Sequence, residues 1–243
     1  MDASAALFVD ERAYDTQGVA LPRAEVQLVV RFGPSTPSGL DIHALGGRQR
    51  VHRKLLRAGQ RVAGARLRLG TTEAVLGVPA SALSGRLVAL EELWGAACTR
   101  RLCDRLADAR DTAEAAAILE SAIAERLALT NRQATGTRLA LAAADRLRSA
   151  NVNAVADDLG VSERHLRRVF RETTGVSPKT FAKLARFRYA VRAARAEGHA
   201  SWAAIASGAG YYDQAHLISE FRSIAGVTPQ ALLRELRVSQ AIG

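Results

Sequence analysis

FRETTGVSPKTF (170–181) and FRSIAGVTPQAL (221–232) share one pattern: Phe-Arg, three residues, Gly-Val, Ser or Thr, Pro. Each position lies 51 residues from its twin, as in Phe170 and Phe221, Gly175 and Gly226, Pro178 and Pro229. In each copy the Gly suits the end of one helix, because it takes positive φ without steric cost. Ser177 or Thr228 then caps a new helix with Pro at its first position, where a missing N–H costs nothing.

The residues before each ending repeat as well. In NAVADDLGVSERHLRRVF (153–170), Asn153 is placed to cap a short helix over 154–159, and Gly160 to end it. Val161 is placed to tuck inward, and Ser162 to cap a second helix whose buried stripe is Leu166, Val169 and Phe170. In SWAAIASGAGYYDQAHLISEF (201–221), Ile205, Ala206, Gly210, Asp213, Leu217 and Phe221 take the equivalent places, with a turn one residue longer. Helix, tight turn with Gly and second helix describe a helix-turn-helix. Between the two units, KTFAKLARFRYAVRAARAEG reads as a linking helix ending at Gly198, with Phe181, Leu184, Phe187, Ala190, Val191 and Ala194 facing inward.

Residues 138–240 resemble the DNA-binding domain of the AraC/XylS family of bacterial transcription regulators, on these paired endings and the two glycine turns. The resemblance implies seven helices, two helix-turn-helix units at about 153–171 and 202–222, and recognition helices in the major groove of double-stranded DNA. It also implies RNA polymerase as a partner if the protein activates, and admits a homodimer and an unidentified small-molecule effector. The exposed set on the first recognition helix is Glu163, Arg164, Arg167, Arg168 and Arg171, with Ser162 at its cap; His165 is open to either exposure or packing beside Leu166. Arginine grips guanine O6 and N7 bidentately, which favours Arg164, Arg167 and Arg168 as base readers. The second helix offers Gln214, His216, Ser219 and Arg222; Ser219 and the neighbouring Glu220 stand where many relatives carry basic residues.

Charge agrees with a polyanionic partner. The chain carries a formal net charge of +10, and the interval 164–195 holds ten basic residues against one acid, Glu172. Cations set against phosphates release condensed counterions, so such a stripe suits nucleic acid.

The first part of the chain reads differently. In EVQLVVRFG, Val26, Leu28, Val30 and Phe32 alternate with polar residues, and in GARLRLG Ala65, Leu67 and Leu69 alternate with arginines. A period of two predicts strands with one buried face. The fold class expected is α+β: a small antiparallel β unit over 5–80, whose pattern permits a cupin-like barrel, and helices over 86–130. A linker at 131–137 then leads to an all-α domain of two helix-turn-helix units joined by a linking helix. Asp111-Thr112 marks a break between two N-terminal helices, and Trp94 belongs to an apolar face. Residues 1–130 have the size of a sensing or oligomerisation domain; its helices serve either a dimer, the preferred reading, or a cover for the β unit.

Other chemistries lack their motifs. Neither G-x-G-x-x-G, a Walker loop, H-E-x-x-H nor G-x-S-x-G occurs, so the expectation is no enzyme and no cofactor. Cys98 and Cys103, the only cysteines, point about 140° apart on a helix, which disfavours a disulfide or metal pair. A DNA-repair role for Cys98 would want a zinc-holding cysteine cluster that the sequence lacks. His43 and His52 are too few for a cupin metal site. The sequence has no long apolar run and no leader pattern at its start, so the expected location is cytoplasmic, on the nucleoid when bound.

Overall fold

The computed structural model describes residues 5–11, 15–33, 36, 39–130, 135–196 and 201–241. Alternation over 26–32 builds the centre of the N-terminal sheet. Strands β1 (Ala5–Glu11), β3 (Gln27–Phe32), β4 (Leu40–Leu45), β6 (Arg61–Leu67) and β7 (Leu87–Ala89) form an antiparallel sheet in the order β1-β6-β3-β4-β7. Strands β2 (Thr16–Ala20) and β5 (His52–Leu56) pair separately. Leu28, Val30 and Phe32 are buried as the alternation predicts, and Val30 lies opposite Ile42 and Ala63, both buried. Gly64 on β6 faces the Phe8 ring so closely that a Cβ there would come within 2.2 Å of it.

Helices α1 (Thr72–Leu76), α2 (Ala80–Leu83), α3 (Leu90–Trp94), α4 (Ala96–Ala107) and α5 (Thr112–Leu129) complete this half. Asp111 caps α5 by accepting from the Glu114 N–H at 2.8 Å. α5 lies across β1 and β6 and buries Leu119 and Ile123, each contributing about 1.5–3 kcal/mol. Its apolar stripe therefore covers the β unit, the less favoured of the two sequence readings. Trp94 is core, with Nε1 donating to the Val75 carbonyl at 2.9 Å.

The sequence boundaries shift in three places. β7 falls inside the stretch read as helical, because it completes the sheet edge beside β4, a partner more than 40 residues away. α1 falls inside the stretch read as β. The helix α6 (Thr135–Arg146) starts within the expected linker 131–137, whose first four residues lie outside the described ones. Gly136 lies close to α8: a Cβ there would stand 3.1 Å from a Val169 methyl.

After α6 come α7 (Val152–Asp158), α8 (Glu163–Thr174), α9 (Pro178–Ala196), α10 (Trp202–Gly208), α11 (Gln214–Ala225) and α12 (Pro229–Ala241). Two cores result. Ala140, Leu147, Val155, Leu166 and Phe170 make the first; Phe187, Ile205, Leu217, Phe221 and Leu232 make the second. α9 serves both. Its Phe181 meets Phe170 edge-on at 5.3 Å, and one turn and a half later Phe187 meets Phe221 at 4.6 Å. At 19 residues it is a rod of about 28 Å. The expected end at Gly198 lies outside the described residues.

Candidate nucleic-acid interface

Each recognition helix is fixed at its ends by the residues the repeat carries. On α8, Ser162 accepts from the His165 N–H at 3.2 Å, and Gly175 closes the other end at φ 80°. On α11, Asp213 accepts from the His216 N–H at 2.7 Å, and Gly226 sits at φ 74°. The helix before α8 is capped by Asn151, which accepts from the Ala154 N–H at 3.0 Å, rather than by Asn153. Val152 is already helical, which places Asn153 inside the first turn. In the turns, Gly160 and Gly210 adopt φ 65° and 74°. The N–H of Val161 and that of Tyr211 reach back to the Ala156 and Ala206 carbonyls at 3.0 and 2.9 Å.

The apolar stripe of α8 is consumed by the core: Leu166, Val169 and Phe170 are buried. Its other side presents Arg164, His165, Arg167, Arg168 and Arg171 to solvent. His165 is thus an exposed residue and not a packing one. Arg167 pairs with Glu163, and Arg168 with Glu172 at 3.1 Å while its side chain stays 60% exposed. Exposed pairs of this i,i+4 kind contribute about 0.3–0.5 kcal/mol, so they orient the guanidinium groups and yield readily to a stronger acceptor. The N-terminal domain also reaches this helix: α2 packs against α8, and Ser81 and Ala82 share a cleft with Arg167, Arg168 and Arg171.

On α11, Gln214, His216, Ser219 and Arg222 are exposed, as the sequence predicts. Glu220 is not. It is 9% exposed and faces α9, where Arg186 donates to its Oε2 at 3.2 Å. Arg186 also lies over the Tyr211 ring at 5.4 Å, and burial together with the Glu220 carboxylate pushes the Tyr211 hydroxyl far above its usual range. The acid that looked like a poor DNA contact is therefore a strut between α11 and α9.

Sequence reading missed Tyr212, which is 93% exposed immediately before the α11 cap. In the structure Tyr211 turns in and its neighbour Tyr212 turns out. A second feature has no local signal. A cavity of about 630 Å³ between the N-terminal domain and α9 is lined by Arg23, Glu25, Arg148, Arg186, Arg188 and Arg192, among others. Burial there, with Arg66 and Arg188 nearby, pulls the Arg23 guanidinium down to about 10. Cys98 and Cys103 are free and half-buried, and burial pushes the Cys103 thiol up. No helix among the described residues is long and apolar enough to cross a membrane, and no group of three or more His, Cys, Asp or Glu among them is placed to hold a metal ion.

Residues 155–235 match the family described as a helix-turn-helix domain. No curated protein matches the chain. Among solved structures, it is similar to ToxT from Vibrio cholerae O395, at 12% identity over 96% of this chain and 98% of that one, with a TM-score of 0.45. It is similar to the ToxT of Vibrio cholerae strain SCE256 with an unsaturated fatty acid bound, at 11% identity over 97% and 96%, TM-score 0.46. It is also similar to ToxT from strain O395 bound to (E)-4-(8-methylnaphthalen-1-yl)but-3-enoic acid, at 12% identity over 96% and 99%, TM-score 0.49. The family match falls on the two units whose caps, glycine turns and cores repeat, so residues 155–235 are a helix-turn-helix domain of that family.

Proposed function

We propose that α8 and α11 enter successive major grooves on one face of a duplex, with α9 holding them apart. The observation that supports this most is α8 itself: its apolar stripe is fully used by the core while Arg164, Arg167 and Arg168 remain exposed on its outer side. These three read base edges, and Arg171 contacts phosphate. On the second helix Gln214 reads adenine, His216, Ser219 and Arg222 line the groove, and Tyr212 contacts the backbone, which sets register without reading sequence.

Residues 1–130 are the part through which an effector or a second copy of the chain acts, and RNA polymerase is the partner if the protein activates. The arginine-lined cavity between this part and α9 fits such a role, because cavities at domain junctions are common ligand sites.

The test is selection of a binding site from random duplexes by the full-length chain, followed by footprinting. Successive grooves require two protected segments about 34 Å apart, one helical turn. Arg168→Ala should weaken binding to the selected site by about 1–3 kcal/mol and relax base preference in its segment. One short protected segment, or an Arg168→Ala protein with the same preference, removes the proposal.

A further inference from the structure

α9 is not the only element that holds α11. The last carbonyls of a helix lack partners within it and must be satisfied from elsewhere. At the end of α11, Gly226 serves the Arg222 carbonyl, but the next partners come from the N-terminal domain. The Val51 N–H donates to the Ile224 carbonyl at 2.9 Å. Arg53 Nη2 donates to the Ala225 carbonyl at 3.0 Å. The same guanidinium grips Glu235 of α12 bidentately, at 2.8 Å from Nε and 3.1 Å from Nη2. A cation at a helix C-terminus is also favoured by the helix dipole. Val19, Leu21 and Val51 pack against the second core beside these bonds. The two helix-turn-helix cores meet through α9, so a swing of α11 and α12 about it would break three hydrogen bonds to Arg53, one to Val51, and open this apolar contact.

We infer that Arg53 is a positioning residue for DNA reading by the second unit, so that the N-terminal domain sets the separation of the recognition helices together with α9. The inference rests on the reading that both helices enter DNA. It gives the N-terminal half a direct mechanical hold on the reading half: anything that shifts the paired strands β2 and β5 shifts α11.

The test uses the full-length chain and the selected duplex, with the second half-site moved by one or two base pairs. Each base pair displaces that site by about 3.4 Å and turns it by about 34°. The wild type should lose roughly tenfold in affinity for the first such shift, the size of one poorly fitted base contact. Arg53→Ala should narrow the ratio between native and shifted duplexes towards one. Arg53→Lys keeps a charge beside Glu235 but lacks the fork that also reaches Ala225, and should fall between the two. Glu235→Gln loosens the same hold from α12 and leaves the N-terminal domain untouched, so it decides the matter if Arg53→Ala does not fold. A merely structural role lowers affinity equally on every spacing. Unchanged ratios in Arg53→Ala and Glu235→Gln, with or without such a uniform loss, overturn the inference alone. A wild type indifferent to spacing overturns the two-groove reading and this inference with it.

Discussion

Glu220 shows how a residue's neighbours in space change its meaning. In sequence it stands beside Ser219 on a helix meant for DNA, and a carboxylate there would repel phosphate. In the structure it points away, into contact with Arg186 and Tyr211. Nothing in the helical period alone predicts this, because position 220 borders the buried stripe of Leu217, Phe221 and Ile224 and falls inward only once α9 supplies a partner. Removing a partner from a buried pair leaves the other charge uncompensated. Arg186 keeps 31% of its side chain exposed, which discounts the penalty. Glu220→Ala should therefore cost about 1–3 kcal/mol in urea unfolding, and Glu220→Gln less, because the amide oxygen still accepts from Arg186. Equal stability of Glu220→Ala and wild type would show that the contact carries no load.

The twin endings make a controlled comparison between α8 and α11. Both helices close on a glycine at nearly the same positive φ, 80° at Gly175 and 74° at Gly226. Alanine at either position carries the left-handed backbone cost, about 1–2 kcal/mol. The surroundings differ. A Cβ on Gly226 meets nothing within 4 Å, whereas a Cβ on Gly175 would stand 2.9 Å from the Ala80 carbonyl oxygen of α2. Gly175→Ala should thus destabilise by about 1–3 kcal/mol more than Gly226→Ala, because backbone must shift to relieve the overlap. Matching losses in thermal unfolding would mean that α2 does not press on α8. The glycines, the Ser162 and Asp213 caps and the buried stripes were legible because each is a local device: a side chain meets a backbone group three residues away. What was not legible depends on partners far along the chain. β7 is a strand because β4 offers it an edge, and α6 packs against α8, a partner that lies about 30 residues further along the chain. Asn151 and Asn153 are the same residue type two positions apart, so composition could not choose between them.

The two halves of the chain touch where no sequence pattern announces it: Arg53 and Glu235 are 182 positions apart. A single sequence shows which half is basic and which alternates, but not which surfaces meet. The charge distribution, by contrast, was readable, and it makes a demand on the protein as a whole. A net charge of +10, concentrated in the helix-turn-helix half, predicts that affinity for a duplex falls steeply as salt rises, since each neutralised phosphate releases condensed counterions. The slope of log affinity against log salt reports how many phosphates the chain neutralises. If Arg171 contacts phosphate while Arg168 reads a base, their variants must part company. Arg171→Gln should flatten that slope by about one unit and weaken selected and random duplexes alike. Arg168→Ala should instead narrow the gap between selected and random duplexes. The measurement is a salt titration of both variants on both duplexes. Were Arg171→Gln to keep the wild-type slope, or to change base preference, the division of labour along α8 would have to be redrawn, with Arg171 moved from the backbone to the groove.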